Sequence, residues 1–347
     1  MSEENCAVIL AAGEGKRMKS SRPKVLSPVL FKPMLQWVID SAQSAGVNAI
    51  CVVTGYMHEQ VEEYLNRLIE SDSRHAGIRY ALQSERKGTG HAVMMAAEFL
   101  REHRGGNVLI LNGDAPFVDA QVIGEALEDH IKSGNSVTVI SAVLDDPTGY
   151  GRIVRDAQTR RISAIVEQKD ADAQTQAICE INSGAFWFKA DDLYDILSQI
   201  TNHNAQGEYY LTDAVKLLIE SGKRANAHIT GKAGAVLGAN DCIQLNALNS
   251  IARDEILSAH MCAGVEIPCR DGVIIGPDVT IGSDTCILPG TILRGNTVIG
   301  SGCTLGPNSF VTDSVIGDHV KLHAVHCEKS EIAPNEAVAP FSVINRR

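Results

Sequence analysis

The residues best suited to chemistry lie together near the start, in LAAGEGKRMKSSRPKVL at positions 10–26. A short apolar run ends in Gly-Glu-Gly, and Lys16, Arg17, Lys19, Arg22 and Lys24 follow it. The whole chain carries a net charge of −11, so this loop runs against its surroundings. Glycines between a strand and a turn let backbone N–H groups approach phosphate oxygens, and Arg17 and Lys24 can neutralise a triphosphate. The loop matches neither common phosphate-binding pattern. Met18 fills the third glycine position of a dinucleotide fingerprint, and Arg17 follows Lys16 where a Walker loop needs Ser or Thr. Asn112-Gly113-Asp114 closes another apolar run, and an aspartate there can cap the helix that follows.

These residues must be carried by a sheet. CAVILAA, AICVVTG, IRYALQ, NVLILNGD and SVTVISAVL read as strands. Between them KPMLQWVIDSAQSAG, a segment from about His58, HAVMMAAEFLREH and residues 119–133 read as helices, with Pro33 near one start and Gly46 as a stop. Continuous apolar strands alternating with helices predict a mostly parallel α/β sheet covered on both faces. Ligands on such sheets sit at the carboxyl ends of the strands, where both candidate stretches fall. Residues 150–240 loosen into an added lobe. Ile243, Ala247, Leu248, Ile251 and Ala252 then give a helical pattern over 241–260.

From residue 264 the period changes to six. Ile275, Ile281, Ile287, Leu293, Ile299, Leu305 and Val311 are in phase, and the repeat resumes at Ile316, Leu322, Ile332 and Val338 in a shifted phase. A six-residue period fits neither a helix nor a plain strand. It fits a parallel β-helix in which each short strand points one aliphatic inward, with about four to five coils over 264–345. The expected organisation is an α/β domain over 1–240, a helical linker over 241–263 and a parallel β-helix over 264–347.

Bulk properties exclude several classes. The 347 residues, 44% apolar, suffice for one large domain and a smaller one. The acidic balance argues against a nucleic-acid binder, and no apolar run reaches the ~18 residues of a membrane span. MSEENCAVILAAG has no basic region before its apolar stretch and reads as a first strand, not a signal peptide. Nine cysteines with no C-x-x-C fit reduced thiols and a cytoplasmic location. His319, His323, His326 and Cys327 cluster near the end, but their spacing fits no standard zinc pattern, and the basic ending NRR reads as a solvated terminus.

The spacing L-x-x-G-x-G-x-x-M followed by P-K resembles the signature of sugar-1-phosphate nucleotidylyltransferases. LQSERKGTGHA (82–92), NGDAPF (112–117), DDPTGYGRI (145–153), IVEQKDA (165–171), EINSGAF (180–186), NAQGEYYLTDAV (204–215) and GAND (238–241) continue it. Their order, with the hexapeptide repeat behind them, resembles the bifunctional N-acetylglucosamine-1-phosphate uridylyltransferase/glucosamine-1-phosphate acetyltransferase family over nearly the whole chain. The resemblance implies a Rossmann-like nucleotidyltransferase domain with a mostly parallel sheet followed by a short left-handed β-helix, and transfer of a uridylyl group from UTP to N-acetylglucosamine 1-phosphate, with Mg²⁺ as cofactor. It assigns Arg17 and Lys24 as catalytic cations and Leu10, Ala11, Ala12 and Gly13 to the nucleotide phosphates. Gln83, Gly88 and Thr89 would read uracil, since a Gln side chain can both donate and accept and a glycine lets backbone approach. Asp114 and Asn240 would hold the metal, and Asn112, Gly113, Gly151, Glu167, Asn182 and Thr212 would line the sugar side. Glu167 read alone is also an ordinary surface carboxylate, and Thr212 a helix cap.

Three positions depart from the family pattern. Lys16 stands where Thr is usual, Asn112 where many members carry an aromatic or other side chain, and Asp241 where a second Asn is usual. The acetyl-transfer residues of the family lie beyond the point where this chain stops, so the expectation is no acetyltransferase activity. The β-helix would then serve assembly, as a homotrimer. A nucleotidylyltransferase for another sugar or base, or a non-catalytic regulatory homologue, are the alternative readings.

Overall fold

Five strand-like runs become β1 (Cys6–Leu10), β2 (Ala49–Thr54), β3 (Ile78–Leu82), β4 (Asn107–Asn112) and β5 (Val137–Val143). The computed structural model describes residues 5–345, so Arg346 and Arg347 of the basic ending and the first four residues lie outside the described part. It divides into two units. One comprises residues up to Ser27 with Pro33–Gln244, the other Pro28–Lys32 with the residues from Leu245 onward.

In the first unit β1 pairs in parallel with β2 and β4, and β2 with β3. Helices α1 (Met34–Ser44), α2 (His58–Ser71) and α5 (Ala120–Ser133) make the crossovers a parallel sheet requires. The expected helix over 91–103 is two helices, α3 (Thr89–Met95) and α4 (Ala97–Glu102). No Gly or Pro marks the break. Ala96 is buried between the helices with φ −90° and ψ 12°, so packing overrides its helical propensity.

Direction also changes where local sequence cannot announce it. Strands β6 (Gly151–Arg155) and β7 (Ile162–Val166) pair antiparallel with each other. Strand β8 (Glu180–Lys189) inserts antiparallel between β4 and β5, and β9 (Ala225–Ile229) closes the edge in parallel with β5. A bulge in β8 between Asn182 and Ala185 contains Gly184 at φ +80°.

Strands β1, β2, β4 and β5 bury both faces, which is why they read as apolar runs, whereas the edge strand β3 leaves Tyr80 and Leu82 exposed. On one face Ala7, Ile9, Leu109, Leu111 and Trp187 pack with Leu35, Ile39 and Leu65; on the other Cys6, Val8, Val108, Ile110, Phe186 and Phe188 pack with Val93 and Leu100. Each large side chain so buried contributes about 1.5–3 kcal/mol. Trp187 satisfies its indole by donating to the Ile123 carbonyl at 3.0 Å.

The second unit begins in α6 (Cys242–Cys262), where Leu248 and Ala252 are buried and Ile251 is half-buried but Ile243 and Ala247, expected on the same face, are exposed. The Leu30 N–H donates to Asn249 Oδ1 at 2.9 Å, and Lys32 pairs with Asp278 at 2.6 Å. Beyond α6 the hexads form two- and three-residue strands stacked in three parallel ladders, a β-helix of the hexapeptide type. Ile275 stacks on Leu293 and Leu293 on Val311, 18 residues apart. The next steps, Val311 to Cys327 and Cys327 to Ile344, skip fewer residues, which is the phase shift seen in the repeat. All of these aliphatics are buried except Ile281 and Val338, which are half-buried. His323 Nδ1 lies 2.8 Å from the Gly306 carbonyl, and the His326 ring packs edge-on against Phe310. Among the described residues no set of three His, Cys, Asp or Glu is arranged to hold a metal.

Candidate active site

The carboxyl ends of β1 and β4, the loops beyond β3 and β7 and the first residues of the antiparallel β8 build the site. After Leu10 the chain is pinned by Ala11 N–H donating to Val53 O at 2.9 Å and Tyr56 N–H donating to Ala12 O at 3.1 Å. The N–H groups of Gly13, Glu14 and Gly15 make no hydrogen bond among the described residues. A run of free amides beside a left-handed residue, here Gly15 at φ +60°, makes an anion-binding concavity.

Leu10, Ala12, Gly13, Lys24, Gln83, Gly88, Thr89, Asn112 and Asp114 line one cavity of about 770 Å³. Ala11 is buried behind it and spends its N–H on Val53, so it offers the cavity no amide. Gly113 is likewise buried, its N–H donated to Leu10 O at 2.9 Å. Arg17 does not line this cavity; it stands exposed on the single turn Lys16–Met18 with no ion-pair partner among the described residues. Gly88 has φ +106°, and a Cβ there would lie 2.5 Å from Tyr209 O, so only glycine fits this turn. Thr89 Oγ1 accepts from Leu211 N–H at 3.0 Å.

Lys24 is the hinge of the charge arrangement. Its ammonium pairs with the Asp114 carboxylate and donates to Asn240 Oδ1 at 3.1 Å. Asp114 therefore caps no helix; the cap of α5 is Asp119, which accepts from Val122 N–H at 2.9 Å. Asp114 and Asn240 bring one carboxylate and one amide carbonyl to a spot that already attracts a cation. That donor set fits Mg²⁺, which takes few protein oxygens and fills its octahedron with phosphate and water.

A second cavity, of about 270 Å³, shares Leu10, Thr89, Asn112 and Asp114 with the first. Its other walls include Tyr150, Gly151, Glu167, Asn182, Gly184, Thr212 and Asn240. Thr212 is no helix cap: its hydroxyl donates to Glu167 Oε1 at 3.1 Å. Glu167 is no surface carboxylate. Burial pushes its carboxyl above the usual range against the opposing Thr212 hydrogen bond, and Asp170 and Asp213 push it further. Gly151 leaves room for it, since a Cβ would sit 3.3 Å from Oε2. Asn182 Oδ1 accepts from Gly184 N–H at 2.9 Å, which leaves its Nδ2 group to face a ligand.

Sequence reasoning missed several supporting residues. Glu14 lies 3.2 Å from Arg86 and 3.6 Å from Lys16, so the unusual Lys16 has a partner across the cavity mouth. Arg152 is fully buried and donates to the carbonyl of Tyr150 and, at 2.8 Å, to Gln168 Oε1, pinning the sugar-side loops through neutral acceptors. The Glu-Arg-Lys run at 85–87 held the only signal for Arg86; for Arg152 an arginine beside apolar strand residues was a weak one.

Known proteins resemble this chain over nearly its whole length. The Nucleotidyl transferase family matches residues 6–242, and Bacterial transferase hexapeptide (six repeats) matches 278–313. The "Bifunctional protein GlmU" of Caldanaerobacter subterraneus subsp. tengcongensis is 44% identical over 342 residues, 99% of this chain and 72% of that protein. Its namesake from Thermoanaerobacter pseudethanolicus is 44% identical over 337 residues, 97% of this chain and 71% of that protein. A Bacillus anthracis structure named for glucose-1-phosphate thymidylyl transfer superposes with a TM-score of 0.58 at 21% identity, covering 72% of this chain and 96% of that one, a likeness of fold alone. Free amides beside a basic loop, an adjoining polar cavity and this identity across nearly its whole length agree, and the chain belongs to the GlmU family of nucleotidyl transferases.

Proposed function

We propose that the protein transfers the uridylyl group of UTP to N-acetylglucosamine 1-phosphate, releasing pyrophosphate and forming UDP-N-acetylglucosamine. One observation carries this reading. The cavity with the free amides and Gln83 and the cavity with Glu167, Asn182 and Thr212 meet at Asn112 and Asp114, beside Lys24. A nucleotide in the first and a sugar phosphate in the second would bring their phosphates together there.

The step needs no covalent intermediate. An ionised phosphate oxygen of the sugar phosphate forms a bond to the α-phosphorus, and the bond from that phosphorus to the bridging oxygen breaks, its electron pair leaving with pyrophosphate. Both reactants are anions, so the work is charge balance and alignment. Lys24 and Arg17 supply positive charge to the triphosphate, and Gly13, Glu14 and Gly15 supply amide donors. Asn182 and the Glu167–Thr212 pair hold the sugar, while Gln83, Gly88 and Thr89 hold the base. Asp114 and Asn240 would hold Mg²⁺, which when bound neutralises phosphate charge and polarises the phosphorus–oxygen bonds.

The remaining expectations belong to the same proposal: catalysis within residues 1–240, a link over 241–263, and a β-helix over 264–347 that assembles three copies. No cysteine is paired, which supports a reducing, cytoplasmic setting; among the described residues no helix is long and apolar enough to cross a membrane. That these residues carry no acetyltransferase activity is tested by thiol release from acetyl-coenzyme A with glucosamine 1-phosphate. Pyrophosphate release measured over a grid of nucleoside triphosphates and sugar phosphates tests the main reading, and failure with UTP and N-acetylglucosamine 1-phosphate rejects it.

A further inference from the structure

Gln83 does not face the nucleotide cavity as a free amide. Its backbone N–H donates to Thr54 O at 2.8 Å and its side chain is 3% exposed, yet it lines the larger cavity. Side-chain Nε2 lies 3.0 Å from Gly88 O and 3.0 Å from His91 Nδ1. A carbonyl oxygen only accepts, so the atom facing Gly88 must be the amide nitrogen and the flip of Gln83 is fixed. That nitrogen has only donors to offer, so His91 Nδ1 must present a lone pair and the imidazole must be neutral with its proton on Nε2. Both donors of the carboxamide are thereby spent. Oε1 makes no hydrogen bond among the described residues, and it is not among the sealed, unpartnered atoms.

The surroundings keep His91 in that state. Burial lowers its affinity for a proton and the nearby Lys87 lowers it further, while Glu85 pulls the other way. The Tyr209 ring packs 6.1 Å from the imidazole. His91 itself lines neither cavity, so it acts only through Gln83.

We propose that His91 is the positioning residue that locks Gln83 with Oε1 as its only free hydrogen-bonding atom, so that the site selects bases presenting a ring N–H. This deepens the proposed function, on which it rests. Uracil and thymine carry that N–H at the ring position where cytosine carries a lone pair. An acceptor held there pairs with the first two and repels the third. A carboxamide free to rotate would accept either base, because its two ends are donor and acceptor. Selectivity is thus a property of the lock, not of having a glutamine.

The test uses the full chain and compares kcat/KM for UTP and CTP in wild type, H91F and H91N. Phenylalanine keeps the ring and removes the acceptor; asparagine restores a carboxamide oxygen close to the position of Nδ1. The expected result is that H91F lowers the UTP-over-CTP ratio by at least about tenfold, through KM for UTP, while KM for the sugar phosphate holds. H91N should recover the ratio to within about threefold of wild type. An H91F ratio equal to wild type, or a loss shared equally by both nucleotides, overturns the proposal. Calorimetry of UMP against CMP reads the same preference without a sugar phosphate, so a wrong acceptor sugar leaves this test standing. The imidazole nitrogen shifts of wild-type His91 settle the matter even if H91F fails to fold: a lone pair on Nδ1 is required, and a proton there overturns the lock.

Discussion

Replacing Lys24 with methionine removes the cation that bridges Asp114 and Asn240 and keeps a stem of similar shape. The lysine side chain is 12% exposed and that of Asp114 21%, so the pair is only partly screened by solvent. Two unit charges about 4 Å apart at the effective dielectric of such sites interact by roughly 4 kcal/mol. If Lys24 turns that charge on the pyrophosphate as it leaves, K24M should lower kcat/KM by about 10²–10³. Folding should suffer far less, by about 1 kcal/mol, because Asp114 regains water when unpaired. A second consequence separates this account from a general loss of structure. With the ammonium gone, Asp114 and Asn240 are open to a divalent ion, so K24M should bind Mn²⁺ more tightly than wild type without nucleotide. Steady-state pyrophosphate release and paramagnetic titration of Mn²⁺ read the two effects. Turnover within about threefold of wild type, or weaker Mn²⁺ binding, would refute the reasoning.

The other predictions are simpler. Glu14→Gln releases Lys16 and Arg86 toward the phosphates and should lower KM for pyrophosphate in the reverse reaction by about fivefold at low salt, less at high salt. Gly184→Ala places a Cβ 2.1 Å from Asn112 Nδ2 at φ +80°, so melting should fall by about 1–3 kcal/mol equivalent and KM for the sugar phosphate should rise while KM for UTP holds. Burial holds the His130 imidazole down at about 4 from 6.5. The unfolded state therefore binds the extra proton, stability is full above about pH 6.5, and about 3 kcal/mol drains away by about pH 4; His130→Phe should flatten that slope in denaturation midpoints measured across the range. Light scattering should give three chains per particle, and a monomer would remove the proposed role of the β-helix in assembly.

What could be read from the sequence follows from which interactions are local. The central strands of the sheet stand out because both faces are buried, as with Val8 and Ile9 on opposite sides of β1. The hexads stand out because each coil repeats one inward aliphatic, and even the shift between Val311 and Ile316 shows in the spacing. What stayed hidden is set by residues far apart in the chain. Nothing near Ala96 announces a helix break, and nothing in EINSGAFWF tells that β8 runs antiparallel. The basic loop announces a phosphate, but the pairing of Lys24 with Asp114 and Asn240 joins three segments. Glu167 reads as any surface carboxylate in the sequence because its partner Thr212 lies 45 residues later. Lys16 was the odd residue of its loop, and its partner Glu14 also binds Arg86, which lies beyond two crossovers.

The central claim is that the two adjoining cavities bring a uridine triphosphate and an amino-sugar phosphate together for nucleotidylyl transfer. Pyrophosphate release with purified protein, Mg²⁺ and a grid of triphosphates and sugar 1-phosphates tests it most directly. The account predicts fastest turnover with UTP and N-acetylglucosamine 1-phosphate and little with CTP. Absence of turnover with that pair, with another pair active, would contradict it.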